Sequence, residues 1–400
     1  MIDVDTSSFF AIVLVAAIAA ITVAILPRQY APPVVVLELF MGIVIGPQVL
    51  DFAHSDNFIQ FFSNLGLGML FYFAGYEIDF ERIKGKPMKF GAWGWLISVA
   101  LAYGIGGVLA AAGIVVSFLY TGSAMATTAI GTLIPILRDN GELKTKFGTY
   151  LLAAGGAGEF GPILLVTLVL TTASPLHESV ILLAFVALAL ILAMGSVRYA
   201  WRGWPALEKT FETSSQLAVR ITVVLVFGLV LLANQLGLDV LLGGFVAGMI
   251  TRAALRGQEL QVFESKLTVG FGFFVPFFFI TSGLEFNLDA LGSAEAIAKL
   301  VMFLGLFLVV RGVPAMLLYR GVLGIRDRAA LAFYCATELP LVVAITTIAI
   351  DAGKMRSSTA AGLVGAAMLS TLIYPFVGLA LRKGGEASET PSYDPPPQGA

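Results

Sequence analysis

Apolar runs of roughly twenty residues, separated by short polar or charged breaks, recur from one end of the chain to the other. A bilayer core takes about 20 apolar helical residues to cross, so the pattern predicts membrane-spanning helices. Thirteen spans follow, at 8–26, 33–50, 58–77, 88–112, 114–137, 147–172, 178–200, 216–235, 238–253, 266–283, 296–320, 327–351 and 357–382. The division near Gly113 rests on a glycine alone, since no charge separates the two spans there. The aromatic stretch FGFFVPFFF at 271–279 reads as a lipid-packing surface.

The spans also repeat. GIVIGP in the second carries Gly42 and Gly46, and GFVAGM in the ninth carries Gly244 and Gly248, 202 positions later. FAGYEIDF around Gly75 in the third span is echoed by TSGLEFNL around Gly283 in the tenth, 208 positions on. A single GxxxG pair signals close helix packing. Two matched pairs in the same order signal an internal repeat, and an offset of seven helices, an odd number, makes its halves opposite in orientation. Inverted repeats of this kind build secondary transporters, which alternate access around a site near the membrane midplane.

Composition agrees with the pattern: the chain is 58% hydrophobic and 12% charged, with a mean hydropathy of +0.91. A soluble domain is about a quarter charged. The formal net charge of −2 gives no basic face for nucleic acid. Cys335 is the single cysteine, which excludes an intrachain disulfide. The first apolar run follows Asp3 and Asp5 with no basic flank, as a membrane helix does and a cleaved signal does not. With the N-terminus outside, 20 of the 24 basic residues fall in inner loops, leaving Arg311 within a span and Lys299, Lys354 and Arg356 outside. The tail GGEASETPSYDPPPQGA after Lys383 is polar and proline-rich, the composition of a disordered cytoplasmic segment.

Charges inside the spans then stand out. At 1.5 Å per residue, Glu159 and Glu338 lie roughly 16–18 Å from the inner membrane face, and Arg311 and Thr128 roughly 14 Å. Glu38, Glu77 and Glu285 fall at span ends, where solvated or structural roles are expected. A charge at the bilayer centre costs at least about 2.5–3.5 kcal/mol, so such a group pairs with another charge, binds an ion or carries protons. An Arg311 bridge to Glu159 or Glu338 and an ion site both satisfy that rule. Two spans are predicted to break at the same depth: the fifth around Thr127, Thr128, Gly131 and Pro135, and the twelfth around Thr337, Glu338 and Pro340. Thr128 and Thr337 stand 209 positions apart, so the breaks belong to the repeat. Broken helices in a membrane free backbone carbonyls, which is tolerated where protein or water surrounds them. His54 and His177 fall in loops without ligand spacing, and no cofactor motif or nucleophile–base pair is evident.

With GIVIGP in the second span and FFFITSGLEFNL in the tenth, these residues resemble the cation:proton antiporter superfamily, in its branch of bacterial sodium/proton and potassium efflux antiporters. The resemblance covers residues 8 to about 382. It implies an all-α fold with two crossing broken helices, a core ion-binding domain of 88–172 and 296–382, and a scaffold of 8–77 and 178–283 that dimerises. It also implies that Glu159 occupies the place of the family's functional aspartate as the shared site of proton and monovalent cation. Arg311 would then be the basic partner on the eleventh span, and Thr127, Thr128, Thr337 and Glu338 the crossing. The family presents Asp-Asp, Asn-Asp or Gln-Asp where this chain has Gly158-Glu159. The implied activity is exchange of Na+ or K+ for H+ across a cell membrane, bacterial and inner. A cation channel or ion sensor on the same fold is the alternative, separated from it by whether a pH gradient drives cation uptake.

Overall fold

The computed structural model describes residues 5–26, 32–77, 80–170, 217–236, 240–254 and 258–383, with five single positions between 184 and 191. The expected span at 178–200 and the expected tail beyond Lys383 lie outside the described residues. The described residues divide into two compact units, each built from two stretches of chain: 1–79 with 163–287, and 80–162 with 288–400. Among them six helices are long and apolar enough to cross a membrane, and further apolar helices of 10–17 residues accompany these.

The first unit holds α1 (Thr6–Ile25), α2 (Val34–Ile45), α3 (Asn57–Glu77), α8 (Leu217–Gln235), α9 (Val240–Ala254) and α10 (Gln258–Leu284). Asp5 caps α1: its carboxylate accepts from the amides of Ser7 and Ser8 at 3.1 Å and from their hydroxyls at 2.5 and 2.6 Å. Those four donors hold the Asp5 carboxyl well below the usual carboxylate range. Its amide donates to Asp56, whose other oxygen receives the Ile59 amide and so caps α3.

The repeated glycines mark where these helices meet. A Cβ on Gly42 would stand 2.3 Å from the Ile280 carbonyl oxygen, and one on Gly283 2.3 Å from that of Leu39. A Cβ on Gly75 would stand 2.0 Å from the Phe245 carbonyl oxygen, and one on Gly248 2.0 Å from that of Tyr72. So α2 presses on α10 and α3 on α9, backbone against backbone, and each repeat's glycines receive the other repeat's helix. The aromatic stretch departs from its expected role. Phe277, Phe278 and Phe279 are buried inside the unit, where Phe277 stacks with Phe9 and Phe62 at centroid distances of 5.1 and 5.0 Å. Phe273 keeps an exposed face. Aliphatic and aromatic partners from α1 and α3 are available within the unit, and they cover the rings.

The second unit holds α4 (Lys86–Ala111), α5 (Phe118–Met125), α6 (Ile130–Asp139), α7 (Lys146–Leu170), α11 (Ala294–Leu318), α12 (Ile325–Cys335), α13 (Pro340–Asp351) and α14 (Ser357–Lys383), with α7 crossing the unit boundary at Pro162. Gly113 adopts φ +71°, a left-handed conformation open to glycine at little cost, and it ends α4 where the sequence divides. The expected spans at 114–137 and 327–351 are each two helices separated by four non-helical residues, 126–129 and 336–339. The expected breakers need correction. Gly131 and Pro135 lie inside α6, downstream of the break, and Pro340 opens α13 at a first-turn position, where its missing amide removes no helical bond.

At the end of the unit near residue 382, Arg382 forks onto Glu142 (Nε to Oε1 3.1 Å, Nη2 to Oε2 2.8 Å) and reaches Asp327 Oδ1 at 2.5 Å while lying 4.4 Å from the centroid of Phe147. This ties α14, α12 and the turn before α7 together. Lys299, expected in an outer loop, is buried in the second turn of α11, with Nζ 2.7 Å from Glu295 and 3.3 Å from the hydroxyls of Ser358 and Thr359. Its long stem packs in the helix interface and its head reaches the polar end. Glu38, expected at a solvated span end, is buried in α2 and exposes 4% of its surface. Span boundaries alone placed both residues too near the water.

Candidate functional site

The two breaks of the second unit cross, and their freed backbone groups pair with each other and with neighbouring helices. The Ala129 amide donates to the Thr337 carbonyl at 2.8 Å, and the Thr128 amide donates to the Gly158 carbonyl on α7 at 3.0 Å. The Thr128 hydroxyl donates to the Cys335 carbonyl at 2.6 Å, and the Trp95 indole nitrogen to the Ala126 carbonyl at 3.2 Å. On the second break the Glu338 amide donates to Ser370 Oγ at 3.0 Å, and its carbonyl accepts from Ser370 and Thr371 at 3.1 Å each. A buried backbone group without a partner is costly, so these side chains are what permits the breaks.

α7 meets the crossing along glycines three residues apart. A Cβ on Gly155 would strike Ile130, one on Gly158 would strike Arg311 and Thr128, and one on Gly161 would strike Trp95. Glu159 follows Gly158 and is buried, with 6% of its surface exposed. Arg311, on α11, is equally buried. Its Nε and Nη2 donate to Thr128 Oγ1 at 3.0 and 2.7 Å, Nη1 to Ser98 Oγ at 3.1 Å, Nη2 to the Ala154 carbonyl at 3.1 Å, and Nε to the Cys335 carbonyl at 3.4 Å. Four neutral oxygens thus cradle the cation, and one of them belongs to the break itself.

Glu338 lies within the second break with no exposed surface. Neither of its carboxylate oxygens accepts a hydrogen bond, and Arg311 and Thr127 are its polar neighbours. The Thr127 hydroxyl donates to the Ala124 carbonyl, and that of Thr337 to the Phe333 carbonyl, which leaves both oxygens with acceptor capacity. The structure therefore gathers Thr127, Thr128, Thr337, Glu338 and Arg311 at one crossing and sets Glu159 one residue beyond its contact with α7. Such a place offers carboxylate, hydroxyl and carbonyl oxygens to a hard monovalent cation, with a fixed positive charge beside them. Sequence reading did not single out Trp95, Ser98, Ser370 and Thr371. The signal for the last two was there, as adjacent hydroxyls in an apolar span, although such hydroxyls ordinarily bond back to their own helix.

Broken helices meeting at a buried site are a construction of secondary transporters, and comparison with known proteins agrees. The family model "Sodium/hydrogen exchanger, transmembrane" matches residues 11–380. The chain belongs to the sodium/hydrogen exchanger family. Among exchanger relatives, YjbQ of Bacillus subtilis is 25% identical over 409 residues, 96% of this chain and 64% of that protein. The chain thus spans just under two thirds of that relative. The Na+/H+-K+ antiporter GerN of Bacillus cereus is 26% identical over 65% of this chain and 67% of its own. Cation/H+ antiporter 18 of Arabidopsis thaliana is 25% identical over 90% of this chain and 47% of its own. The solved sodium proton antiporter MjNhaP1 of Methanocaldococcus jannaschii superposes with a TM-score of 0.63 at 18% identity, covering 94% of this chain and 97% of that one, so the exchanger fold is shared.

Proposed function

We propose that this exchanger-family chain is a monovalent cation:proton antiporter, with Glu159 as the common site of Na+ or K+ and of H+. The observation that carries the reading is a carboxylate buried one residue past the point where α7 meets the crossing of two broken helices. A protonated carboxyl is neutral and has lost the charge that draws a cation. An ionised one attracts the cation and shares it with neighbouring oxygens. One group therefore holds either species and never both, which is what coupled exchange requires.

The relatives' names support the class of activity, since GerN is named for Na+, H+ and K+. Thr127, Thr128, Thr337 and Glu338 supply further oxygens, and Arg311 is the charge partner that steadies them. The second unit acts as the ion-binding core (88–172 and 296–382) and the first as the scaffold (8–77 and 178–283), through which two copies pair. The N-terminus lies outside and the C-terminus inside a cell membrane. Gly158 adds no second carboxylate and a guanidinium does not release its proton, so, with Glu338 keeping one protonation state through the cycle, one cation exchanges for one proton and transport is electroneutral.

Proteoliposomes test this. An imposed pH gradient drives Na+ or K+ uptake by the native protein, and Glu159→Gln abolishes it while the purified variant remains folded. Exchange at the native rate in that variant removes Glu159 from its role. Cation flux that ignores the pH gradient indicates a channel instead.

A further inference from the structure

Position 158 carries no side chain, and the space a side chain would take is already filled. A Cβ built there would lie 2.4 Å from Arg311 Nη2, 2.7 Å from Thr128 Oγ1 and 2.9 Å from Thr128 Cβ. The intruding groups are not loosely placed. Nη2 donates to both Thr128 Oγ1 and the Ala154 carbonyl, the latter one turn back along α7 from Gly158. Thr128 is fastened to the same helix by its amide bond to the Gly158 carbonyl. Arg311 is thus docked against α7 by one bond to the Ala154 carbonyl, by a second to Thr128, which is itself bonded to α7, and by the absence of a side chain at 158.

We infer that Gly158 is a positioning residue, whose missing side chain admits the Arg311 guanidinium against the Glu159-bearing turn as a resident cation. The inference rests on the antiporter reading for its consequence in transport, but its geometry stands without it. Any side chain at 158 must push the guanidinium away or part α7 from the crossing. The cavity beside the guanidinium, lined by Gly91, Gly94, Trp95, Ser98, Arg311 and Tyr319, has room for about one water, so the guanidinium has little space into which to withdraw. A methyl at 158 therefore strains the contacts of both Arg311 and Thr128 with α7. The seat of the guanidinium on α7 is disturbed next to the residue that precedes Glu159, and cation handling changes with it. Lysine at 311 keeps the charge but lacks the forked Nη2, so it relieves the nearest of the three contacts at 158 and leaves those with Thr128.

The test is a cycle in the full chain: native, Gly158→Ala, Arg311→Lys and the double variant, each measured for thermal unfolding in detergent and for exchange in proteoliposomes. Gly158→Ala is expected to shift the half-saturating cation concentration at least threefold and to lower the unfolding midpoint. Gly158→Ala is expected to do less damage in the Arg311→Lys background than in the native one, in both measurements. Equal damage from Gly158→Ala in both backgrounds overturns the inference, as does a Gly158→Ala protein that matches the native one in both measurements. If Gly158→Ala does not fold, recovery of folding in the double variant supports the inference, and failure of both overturns it. If the native protein shows no coupled exchange, the antiporter reading fails, while the unfolding cycle still decides the role of Gly158.

Discussion

Replacing Thr128 by valine removes one oxygen from the crossing and almost no volume. That oxygen accepts from Arg311 twice, at 3.0 and 2.7 Å, and donates to the Cys335 carbonyl at 2.6 Å. Hydrogen bonds to a charged group contribute about 1.5–3 kcal/mol each, and a donor left buried without an acceptor costs comparably. The guanidinium keeps Ser98, Ala154 and Cys335 as acceptors, so the loss lies below the simple sum. Taking the lower end for two bonds gives about 3 kcal/mol for Thr128→Val, and Thr128→Ser, which keeps the oxygen and loses a methyl, costs about 1 kcal/mol. Chemical denaturation of the purified protein in mild detergent measures both. If valine costs less than serine, or less than about 0.5 kcal/mol, the crossing is not held by this hydroxyl and the account of Arg311 given above is wrong.

Further outcomes follow from other contacts. Arg382→Gln breaks a forked ion pair whose members expose only 13–22% of their side chains, and it is expected to destabilise by about 2–4 kcal/mol in the same denaturation assay, with Arg382→Lys recovering only part. Gly75→Ala and Gly248→Ala each force a methyl to within 2.0 Å of a carbonyl oxygen, so each is expected to cost about 1–3 kcal/mol or more, measurable as a lowered yield of folded protein on size exclusion. Asp5 contributes stability that is present above the ordinary carboxylate range and lost as pH falls through its depressed value. The stability of Asp5→Ala should therefore change less than that of the native protein on acidification. Exchange by the native protein should be unchanged by an imposed membrane potential, and a clear voltage dependence in a valinomycin-clamped liposome overturns one-for-one coupling.

The breaks and the glycine repeat were legible because they are written in backbone chemistry. Thr127-Thr128 and Thr337-Glu338 stand out in apolar spans, and Gly42, Gly75, Gly248 and Gly283 recur at matched offsets. The breaking residues were misread in part. Helical termination at Met125 and Cys335 depends on what the freed amides find across the crossing, which no local signal encodes. The same holds for Arg311. Its position inside a span announced a role, but its cradle of Ser98, Ala154 and Cys335 depends on three helices far apart in the chain. Lys299 and Glu38 show the reverse limit, since distance from a span's end does not tell whether a neighbouring helix covers the side chain.

The exchanged glycine contacts constrain how this chain can be made. Gly42 finds its seat on α10 and Gly75 on α9, which follow some 240 and 170 residues later in synthesis. Between them comes half of the other unit, residues 80–162. α2 and α3 therefore enter the bilayer with bare glycine grooves and wait there until their complements arrive. The entropic cost of the long wait is mild, because closing a loop grows only with the logarithm of its length. The hazard is occupancy: an open glycine groove accepts any close-fitting helix, including one from a neighbouring nascent copy. Chains truncated before residue 240 should accordingly associate promiscuously or be degraded, whereas a separately expressed second half should restore the first by filling its grooves in trans.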